Sequence, residues 1–452
     1  MSTFTVAKFG GTSVANFEAM SRCAAIIEKN PETKLVVSSA CSGVTNLLVE
    51  LANGVPDTAQ RAQIIQKLTE IHEAIIAQLQ HSDAVQQDVH AILATVSNLA
   101  EAASIQSTAK LTDHLVACGE LMSTHLLTQL MVERGIPAVR FDIRHILRTD
   151  NHYGCAEPDL ATIATLAQQQ LAPLCQQHVV VTQGFIGSDA EGNTTTLGRG
   201  GSDYSAALIA EAVKASGLQI WTDVPGIYTT DPRIATKASP ISEISFSEAS
   251  EMANFGAKIL HPSTLLPALR HHIPVFVGSS KEPETGGTWI RQEVESSPQF
   301  RALALRSNQT MVTLRSAKMF HAYGFLAKVF EILAKHKISV DLITTSEISV
   351  SLTLDKTDTS GGAPLLPQAV REELEDLCTV EVEQNLCLVA LIGNHMENKG
   401  YAKTVFNTLG DYNLRMICYG ASDHNLCFLV DSHESHAVIQ TLHKNLFEAE
   451  SS

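Results

Sequence analysis

From Ser2 to about Gly278, short apolar runs typical of buried strands alternate with longer stretches in which apolar residues recur at helical spacing. The predicted strands are Phe4–Lys8, Leu35–Ser38, Val139–Asp142, Val179–Thr182, Gln219–Asp223 and Val275–Val277. Strands that alternate with helices in this way predict an α/β fold with a mostly parallel sheet and helices on both faces.

One long span departs from this alternation. No glycine or proline occurs between Pro56 and Gly119, and the span is rich in alanine, glutamine and leucine. These residues favour helix, so a helical subdomain is predicted over about 57–135. A turn-rich stretch, Lys281–Gly287, comes near the end of the first domain, which is predicted to span 1–293.

The C-terminal part contains an internal repeat. Gly324–Asp355 aligns without a gap to Gly400–Asp431, at a constant offset of 76 residues. Each copy has the pattern of a helix followed by two strands, and a further strand precedes it, at Met311–Leu314 or Leu386–Ile392. A fixed period indicates two copies of one α+β unit. The C-terminal repeat region is predicted to span 300–452, with its first copy at about 306–385 and its second at about 386–447.

Composition narrows the class of protein. Lysine and arginine number 32 against 48 aspartates and glutamates, a net charge of −16, which argues against a general nucleic-acid or anionic-membrane binder. No apolar run approaches the ~18 residues that span a bilayer, and the N-terminus lacks a secretory pattern. Nine cysteines without C-x-x-C spacing suit a reducing compartment. A cytoplasmic protein is therefore expected.

The first predicted strand ends in an unusual turn, "KFGGTS". Lys8 is followed by Gly10 and Gly11 and by the hydroxyls of Thr12 and Ser13. A Gly-Gly turn between a strand and a helix can direct backbone N–H groups at an anion, and Lys8 adds a mobile positive charge. The lysine precedes the glycines, unlike that of a P-loop. The alternative is a tight turn beside a surface lysine.

Three further segments lie at predicted strand ends or helix starts, and ligands of open α/β sheets collect outside the carboxyl ends of strands. Ser38–Asn46 could hold a small polar substrate, or could be a flexible loop. Thr196–Ala207 contains Arg199, suited to a carboxylate, and Asp203 at a helix start. Trp221–Arg233 could hold a base and ribose, or could be a structured surface loop.

The remaining candidate groups are ambiguous when each is taken alone. Lys258, in the segment Phe255–Pro262, and Glu120, in a predicted helix, could both be solvated side chains. The histidines show no metal-ligand spacing with cysteine or carboxylate, so no protein metal site is assigned.

Together the motifs resemble the aspartokinase family, within the wider amino-acid kinase fold. The matching segments occur in family order and with family spacing, and they are "KFGGTSV", "SACSGVTN", "GELMS", "LGRGGSDYSA", "WTDVPGIYTTDPR" and "FGAKILHP". The C-terminal repeat looks like a tandem of ACT regulatory modules, and Met319–Glu347 is similar to the lysine-sensitive, single-function branch. The resemblance covers nearly the whole chain.

The resemblance implies ATP-dependent phosphorylation of L-aspartate to 4-phospho-L-aspartate, the first step towards lysine, threonine and methionine. By family analogy the catalytic residues are Lys8, Asp203 and Lys258. The implied aspartate-binding residues are Ser39, Thr45, Glu120, Arg199, Gly200, Gly201 and Ser202. The implied ATP-binding residues are Lys8, Gly10, Gly11, Thr12, Ser13, Thr222, Asp223, Tyr228, Arg233, Lys258 and Ile259. Magnesium is expected to accompany the ATP phosphates, with no tightly bound cofactor.

The resemblance also implies feedback inhibition by L-lysine. The implied effector residues are Met319, His321, Gly324, Phe325, Leu326, Ser339, Val340, Asp341, Thr345, Ser346 and Glu347. The family further implies a homodimer or larger assembly through the ACT modules. Two alternatives stay open: a kinase of the same fold acting on another carboxylate such as glutamate, and a non-catalytic amino-acid sensor.

Overall fold

The computed structural model describes residues 4–256, 260, 262–316, 323–354, 365–398 and 400–448. The chain forms two compact units. Unit 1 comprises 1–227, 241–246 and 259–294, and unit 2 comprises 228–240, 247–258 and 295–452. The predicted domain boundaries stay a prediction, but two short segments of the first predicted domain group with unit 2.

The strands and helices are as follows. The strands are β1 Thr5–Phe9, β2 Thr33–Ser38, β3 Ala138–Phe141, β4 Val179–Gln183, β5 Ile186–Ser188, β6 Thr194–Thr196, β7 Gly217–Thr222, β8 Glu243–Ser245, β9 Val275–Ser279, β10 Gly287–Arg291, β11 Phe300–Arg315, β12 Val340–Thr345, β13 Ser349–Leu354, β14 Thr379–Gly393, β15 Met416–Tyr419 and β16 Asn425–Asp431. The helices are α1 Phe17–Lys29, α2 Val44–Ala52, α3 Thr58–Ile76, α4 Asp83–Ile105, α5 Ala109–Glu133, α6 Leu160–Leu166, α7 Ala172–Cys175, α8 Gly201–Ala212, α9 Phe246–Asn254, α10 Pro262–Arg270, α11 Phe325–Lys335, α12 Gln368–Glu375, α13 Tyr401–Thr408 and α14 Ser435–Phe447.

Unit 1 is built on an eight-stranded sheet in the order β3-β4-β2-β1-β7-β9-β10-β8. All neighbouring pairs are parallel except β9 and β10. The six predicted strands are present, which confirms the mostly parallel α/β prediction. Because β1 lies between β2 and β7, its carboxyl end opens at the middle of the sheet, where open α/β sheets bind ligands.

The glycine-free span forms α3, α4 and the first part of α5, Ala109–Cys118. Within the described part of the chain, α5 is the helix that is long and apolar enough to cross a bilayer, and 78% of its most apolar window is buried in the protein. Its buried face packs on α1, α2 and α4. α5 is therefore the central core helix on one face of the sheet, and it carries Glu120.

Unit 2 contains a six-stranded antiparallel sheet in the order β12-β13-β11-β14-β16-β15. The repeat prediction is confirmed, because α11-β12-β13 and α13-β15-β16 are equivalent units. The sequence pattern did not predict the length of β11 and β14. The two strands pair along most of their length, so that each passes through both modules.

The two modules have separate cores. One core is formed by one half of β11 and β14 with α11, α12 and β13, around Val312, Val329 and Leu352. The other is formed by the opposite halves with α13, α14 and β16, around Leu303, Val405 and Phe428. The duplicated elements thus share two continuous strands.

Helix α9 is anchored within unit 2 by buried polar contacts. The Glu248 carboxylate, which is fully buried, accepts hydrogen bonds from Arg301 Nε at 2.8 Å and Asn394 Nδ2 at 2.7 Å. One turn later, Glu251 accepts from Ser422 Oγ and Asn425 Nδ2. These contacts explain why residues 247–258 group with the C-terminal unit.

Candidate active site

Lys8 lies at the carboxyl end of β1 and is 7% exposed. Its Nζ lies 2.5 Å from Oδ1 of Asp203, in the first turn of α8. A buried ammonium requires such a partner, and the carboxylate also fixes where the ammonium points. The structure therefore holds Lys8 on the side of the sheet where ligands are expected.

The glycine turn after β1 forms a short 3₁₀ helix, Gly11–Val14. Gly10 N–H donates to Trp221 O and Ser13 N–H to Gly10 O, so these two amides already have acceptors. Among the described residues, neither Gly11 N–H nor Thr12 N–H donates to a backbone carbonyl outside the helix. These two amides are the ones available to an anion. The Ser13 hydroxyl is buried against Ser280 Oγ at 2.6 Å.

Glu120 is a buried carboxylate on α5, 3% exposed. One oxygen accepts from Ala40 N–H at 3.1 Å, whereas Oε2 has no hydrogen-bond partner among the described residues. Burial raises the pKa of Glu120 to about 8, an effect that the Ala40 amide and the Lys8 charge only partly oppose. A buried carboxyl with a vacant oxygen is suited to receive a cationic ligand group.

The loop after β2 packs directly on α5. A Cβ at Gly119 would lie 2.8 Å from Ala40 Cβ, so glycine permits this close approach. Ser123 Oγ donates to Ser39 O at 2.7 Å, which ties the loop to the helix. Thr45 lies in the first turn of α2, which begins after the positive-φ residue Gly43. The loop is thus fixed beside Glu120.

The Arg199 loop joins β6 to α8. Gly198 and Gly200 adopt positive φ angles of 77° and 72°, which favour glycine. A Cβ at Gly201 would lie 2.8 Å from Phe185 Cδ2. Arg199 itself is exposed, and none of the ion pairs found in the described part of the chain includes its guanidinium. The loop is closely packed while its cation is available to a ligand.

A cavity of about 520 Å³ brings most of the predicted residues together. Its lining includes Lys8, Gly10, Gly11, Thr12, Ser39, Thr45, Glu120, Arg199, Gly200, Gly201, Ser202, Asp203 and Thr222. Four predicted residues do not line it: Ser13, Asp223, Tyr228 and Arg233. Tyr228 and Arg233 belong to unit 2, where Arg233 pairs with Asp231. Lys258 and Ile259 lie outside the described residues.

The cavity also has lining residues that the sequence prediction did not single out. They are Ala40, Cys41, Ser42, Gly43, Asn46, Phe185 and Gly198. Most fall inside the quoted motifs, but Phe185 does not. It follows the end of β4 with a φ of 71°, and its N–H donates to Ser205 Oγ at 3.0 Å. Its position after a parallel strand was the available signal.

The lining favours electrostatic rather than covalent chemistry. Lys8 and Arg199 are cations, and the Gly11 and Thr12 amides add partial positive charge. Burial raises the pKa of the Cys41 thiol to about 12, so it stays protonated at neutral pH and is a poor nucleophile. The cavity can therefore hold anionic groups close together and stabilise negative charge.

The described effector residues lie in unit 2, on or next to α11 and β12. Gly324 caps α11 with a φ of 82°, and Phe325 and Leu326 form its first turn. Asp341, at the start of β12, forms an ion pair with Arg306 of β11. Thr345, Ser346 and Glu347 lie at the other end of β12, next to a turn closed by Ser346 N–H on Ser349 O.

Ser339 and Val340 lie at the beginning of β12. Met319 and His321 lie outside the described residues. The structure therefore shows where nine of the eleven predicted effector residues lie. Among those at the start of β12, the carboxylate residue is Asp341, and its partner is Arg306 of the same unit.

Comparison with known proteins matches the chain to two family models. The amino acid kinase family model matches residues 3–279, and an ACT domain model matches 312–366 and 389–446. The lysine-sensitive aspartokinase 3 of Escherichia coli is 55% identical over 450 residues, which is 99% of this chain and 100% of that protein.

Solved structures agree with these matches. E. coli aspartokinase III in complex with aspartate and ADP (R-state) is similar with a TM-score of 0.90 and 55% identity, over 98% of this chain and 100% of that one. The same enzyme with lysine and aspartate (T-state) gives a TM-score of 0.85 at 54% identity, over 99% and 100%. With residues of five of the six motifs lining one cavity and the kinase unit followed by paired ACT modules, the chain belongs to the aspartokinase family.

Proposed function

We propose that this chain transfers the γ-phosphoryl group of ATP to the β-carboxylate of L-aspartate, giving ADP and 4-phospho-L-aspartate. The observation that carries the proposal is the single cavity in which Lys8, Glu120 and Arg199 meet. A relative 55% identical to this chain has been solved with aspartate and ADP, which supports the same pair of ligands here.

The reaction must bring one anion against another. A carboxylate is already a competent nucleophile at neutral pH, so no general base is needed. Catalysis then consists of alignment and stabilisation of charge on the transferring group. Lys8 Nζ, held by Asp203, neutralises that charge, and the Gly11 and Thr12 amides donate to the phosphoryl oxygens.

Aspartate is held at its two other charged groups. Arg199 grips the α-carboxylate, since its guanidinium can donate two parallel hydrogen bonds. Glu120 receives the α-ammonium at its vacant Oε2. The remaining hydroxyls and amides of the aspartate site are Ser39, Thr45, Gly200, Gly201 and Ser202, all on the cavity wall. This leaves the β-carboxylate directed at Lys8.

ATP would enter as its magnesium complex, and the ion would supply further charge neutralisation at the phosphates. The described residues contain no group of three potential metal-ligating side chains, so the phosphates are the proposed main ligands of the ion. By family analogy Thr222, Asp223, Tyr228, Arg233, Lys258 and Ile259 contact the nucleotide. Of these, Thr222 lies on the cavity wall.

Lysine is the proposed feedback inhibitor, and it acts at the α11–β12 region of unit 2. The Asp341 carboxylate would pair with an ammonium group of lysine, a contact that requires it to exchange its Arg306 partner. A structure of the E. coli relative with lysine supports this choice of effector. Inhibition then requires different lysine affinities in two global states.

We further propose a cytoplasmic homodimer, assembled through the ACT modules. Several large apolar side chains of unit 2 are at least 39% exposed, and they lie on or next to α11, β12 and β15: Tyr323, Leu326, Phe330, Ile343, Ile348, Ile417 and Tyr419. Exposed apolar residues grouped in this way are typical of an interface.

The test is an ADP-release assay with aspartate, repeated with glutamate in its place, and then with lysine or threonine added. We expect ADP release only with aspartate and inhibition by lysine. Release that depends on glutamate would favour the related kinase, and lysine binding without any release would favour the sensor. Release that lysine does not affect would contradict the effector assignment alone.

A further inference from the structure

Asp113 is a buried carboxylate to which the proposed reaction assigns no role. It lies near the start of α5, 1% exposed, seven residues before Glu120. Two residues seven apart on a helix share one face and lie about 10 Å apart along the axis. Asp113 and Glu120 therefore project from the same side of one rigid core helix.

The Asp113 carboxylate accepts three hydrogen bonds. Oδ2 accepts from Gly154 N–H at 3.0 Å and Thr196 N–H at 2.8 Å, and Oδ1 accepts from Thr196 Oγ1 at 2.9 Å. None of the ion pairs found in the described part of the chain includes Asp113. Burial raises the pKa of this carboxyl and the three donors oppose the rise, so the donors are what stabilise its charge.

The two residues that donate hydrogen bonds to Asp113, Gly154 and Thr196, both help to position the loop that carries Arg199. Thr196 ends β6, three residues before Arg199, and Ala156 N–H also donates to Thr196 O at 2.9 Å. A Cβ at Gly198 would lie 3.2 Å from Gly154 O, so the Gly154 backbone forms the wall behind the loop. One carboxylate thus fixes the start of the loop and the surface on which it rests.

We propose that Asp113 is a positioning residue that sets the distance between the two groups that bind the α-ammonium and the α-carboxylate of aspartate. This inference rests on the proposed roles of Glu120 and Arg199. Helix α5 carries the group that receives the α-ammonium, and through Asp113 it also anchors the loop that grips the α-carboxylate. Both contacts to the α-carbon substituents are therefore positioned by one helix, which fixes where the α-carbon of aspartate is held.

The test compares Asp113→Asn with a matched control, Asp189→Asn. Asp189 is also buried, 4% exposed, and accepts from Glu191 N–H, Asn193 N–H and Tyr153 Oη, but at the opposite end of the β5–β6 hairpin. Asp113→Asn places an amide group against donors. We expect it to raise the KM for aspartate about 10–100-fold, the cost of misplacing a binding group by about 1 Å.

In Asp113→Asn the kcat and the KM for ATP should stay within about twofold of the wild-type values. In Asp189→Asn the kcat, the KM for ATP and the KM for aspartate should all stay within about twofold of the wild-type values. A KM for aspartate in Asp113→Asn within twofold of the control would overturn the proposal. Parallel losses in kcat and in the KM for ATP would also overturn it, because they indicate general damage rather than positioning.

A double-mutant cycle separates this inference from the function on which it rests. If Asp113 acts through Arg199, Asp113→Asn should add little to the KM for aspartate once Arg199→Ala is present. Effects that multiply would refute the coupling. An Arg199→Ala variant with unchanged KM for aspartate would instead refute the proposed role of Arg199 itself.

If Asp113→Asn does not fold, Thr196→Val replaces it. Valine removes the hydroxyl donor and keeps the backbone amide, so we expect a rise of about three- to tenfold in the KM for aspartate. Thr196→Ser should restore the wild-type value, since it keeps the hydroxyl. An unchanged KM in Thr196→Val would count against the proposal.

Discussion

Raising the pH from 6 to 8 should lower the KM for aspartate in the wild-type enzyme but not in a Glu120→Gln variant. The substrate ammonium needs an ionised Glu120, and burial raises the pKa of that group from 4.5 to about 8. Below its pKa the free enzyme is mostly protonated there, so aspartate binding must release a proton. A higher pH removes that requirement, and binding tightens.

The magnitude follows from the ionised fraction. With a pKa of about 8, Glu120 is about 1% ionised at pH 6, about 9% at pH 7 and about half at pH 8. The KM should therefore fall about tenfold from pH 6 to 7 and about fivefold from pH 7 to 8. Because the raised pKa destabilises the ionised folded state, ligand-free Glu120→Gln should also melt higher than wild type above pH 8.

The assay is initial-rate ADP release at saturating ATP across this pH range, for both proteins. Burial lowers the pKa of His125 to about 4, below this pH range, and it also lowers the pKa of His114, so the comparison with Glu120→Gln is what isolates the Glu120 contribution. Glu120→Gln should have a high KM that varies less than about twofold. The same steep pH dependence in the variant, or a flat profile in the wild type, would refute the reasoning.

Three further predictions concern catalysis, regulation and stability. Lys8→Ala should lower kcat about 10²–10³-fold, the loss typical of one transition-state donor, whereas Lys29→Ala, at an exposed lysine, should not; near-normal turnover of Lys8→Ala in the ADP assay would contradict its role. Asp341→Ala should raise the lysine concentration needed for half inhibition and spare the uninhibited rate, and an unchanged inhibition curve would argue against the contact. Arg301→Leu should lower the free energy of unfolding by about 3–5 kcal/mol in urea titrations, because it removes the arginine that pairs with a fully buried carboxylate, while the exposed Arg371→Leu should cost under about 1 kcal/mol; equal costs would disprove the importance of burial.

The parts of the site that the sequence predicted are those marked by local chemistry. Lys8 before two glycines and Arg199 among three glycines both stand out because packing alone does not call for these residues together. Glu120 was ambiguous, since a helix carboxylate is usually solvated. Only the fold shows that α5 is the core helix and that Glu120 faces the cavity.

Other features depend on contacts between residues far apart in sequence. Phe185 and Asp113 have no distinctive neighbours along the chain, and their importance comes from Ser205, Gly154 and Thr196. The repeat was recognisable from its period. The joining of its strands into β11 and β14 was not, because strand pairing across some 80 residues leaves no local pattern.

The two shared strands make the regulatory region indivisible. Cutting the chain between the repeats would leave each half with a sheet lacking part of its pairing and with one side of its apolar core open to water. A single repeat is therefore not an independent folding piece, even though its sequence is a self-contained period. Substitutions can change the function of one copy while the other keeps its own, but neither copy can be deleted alone.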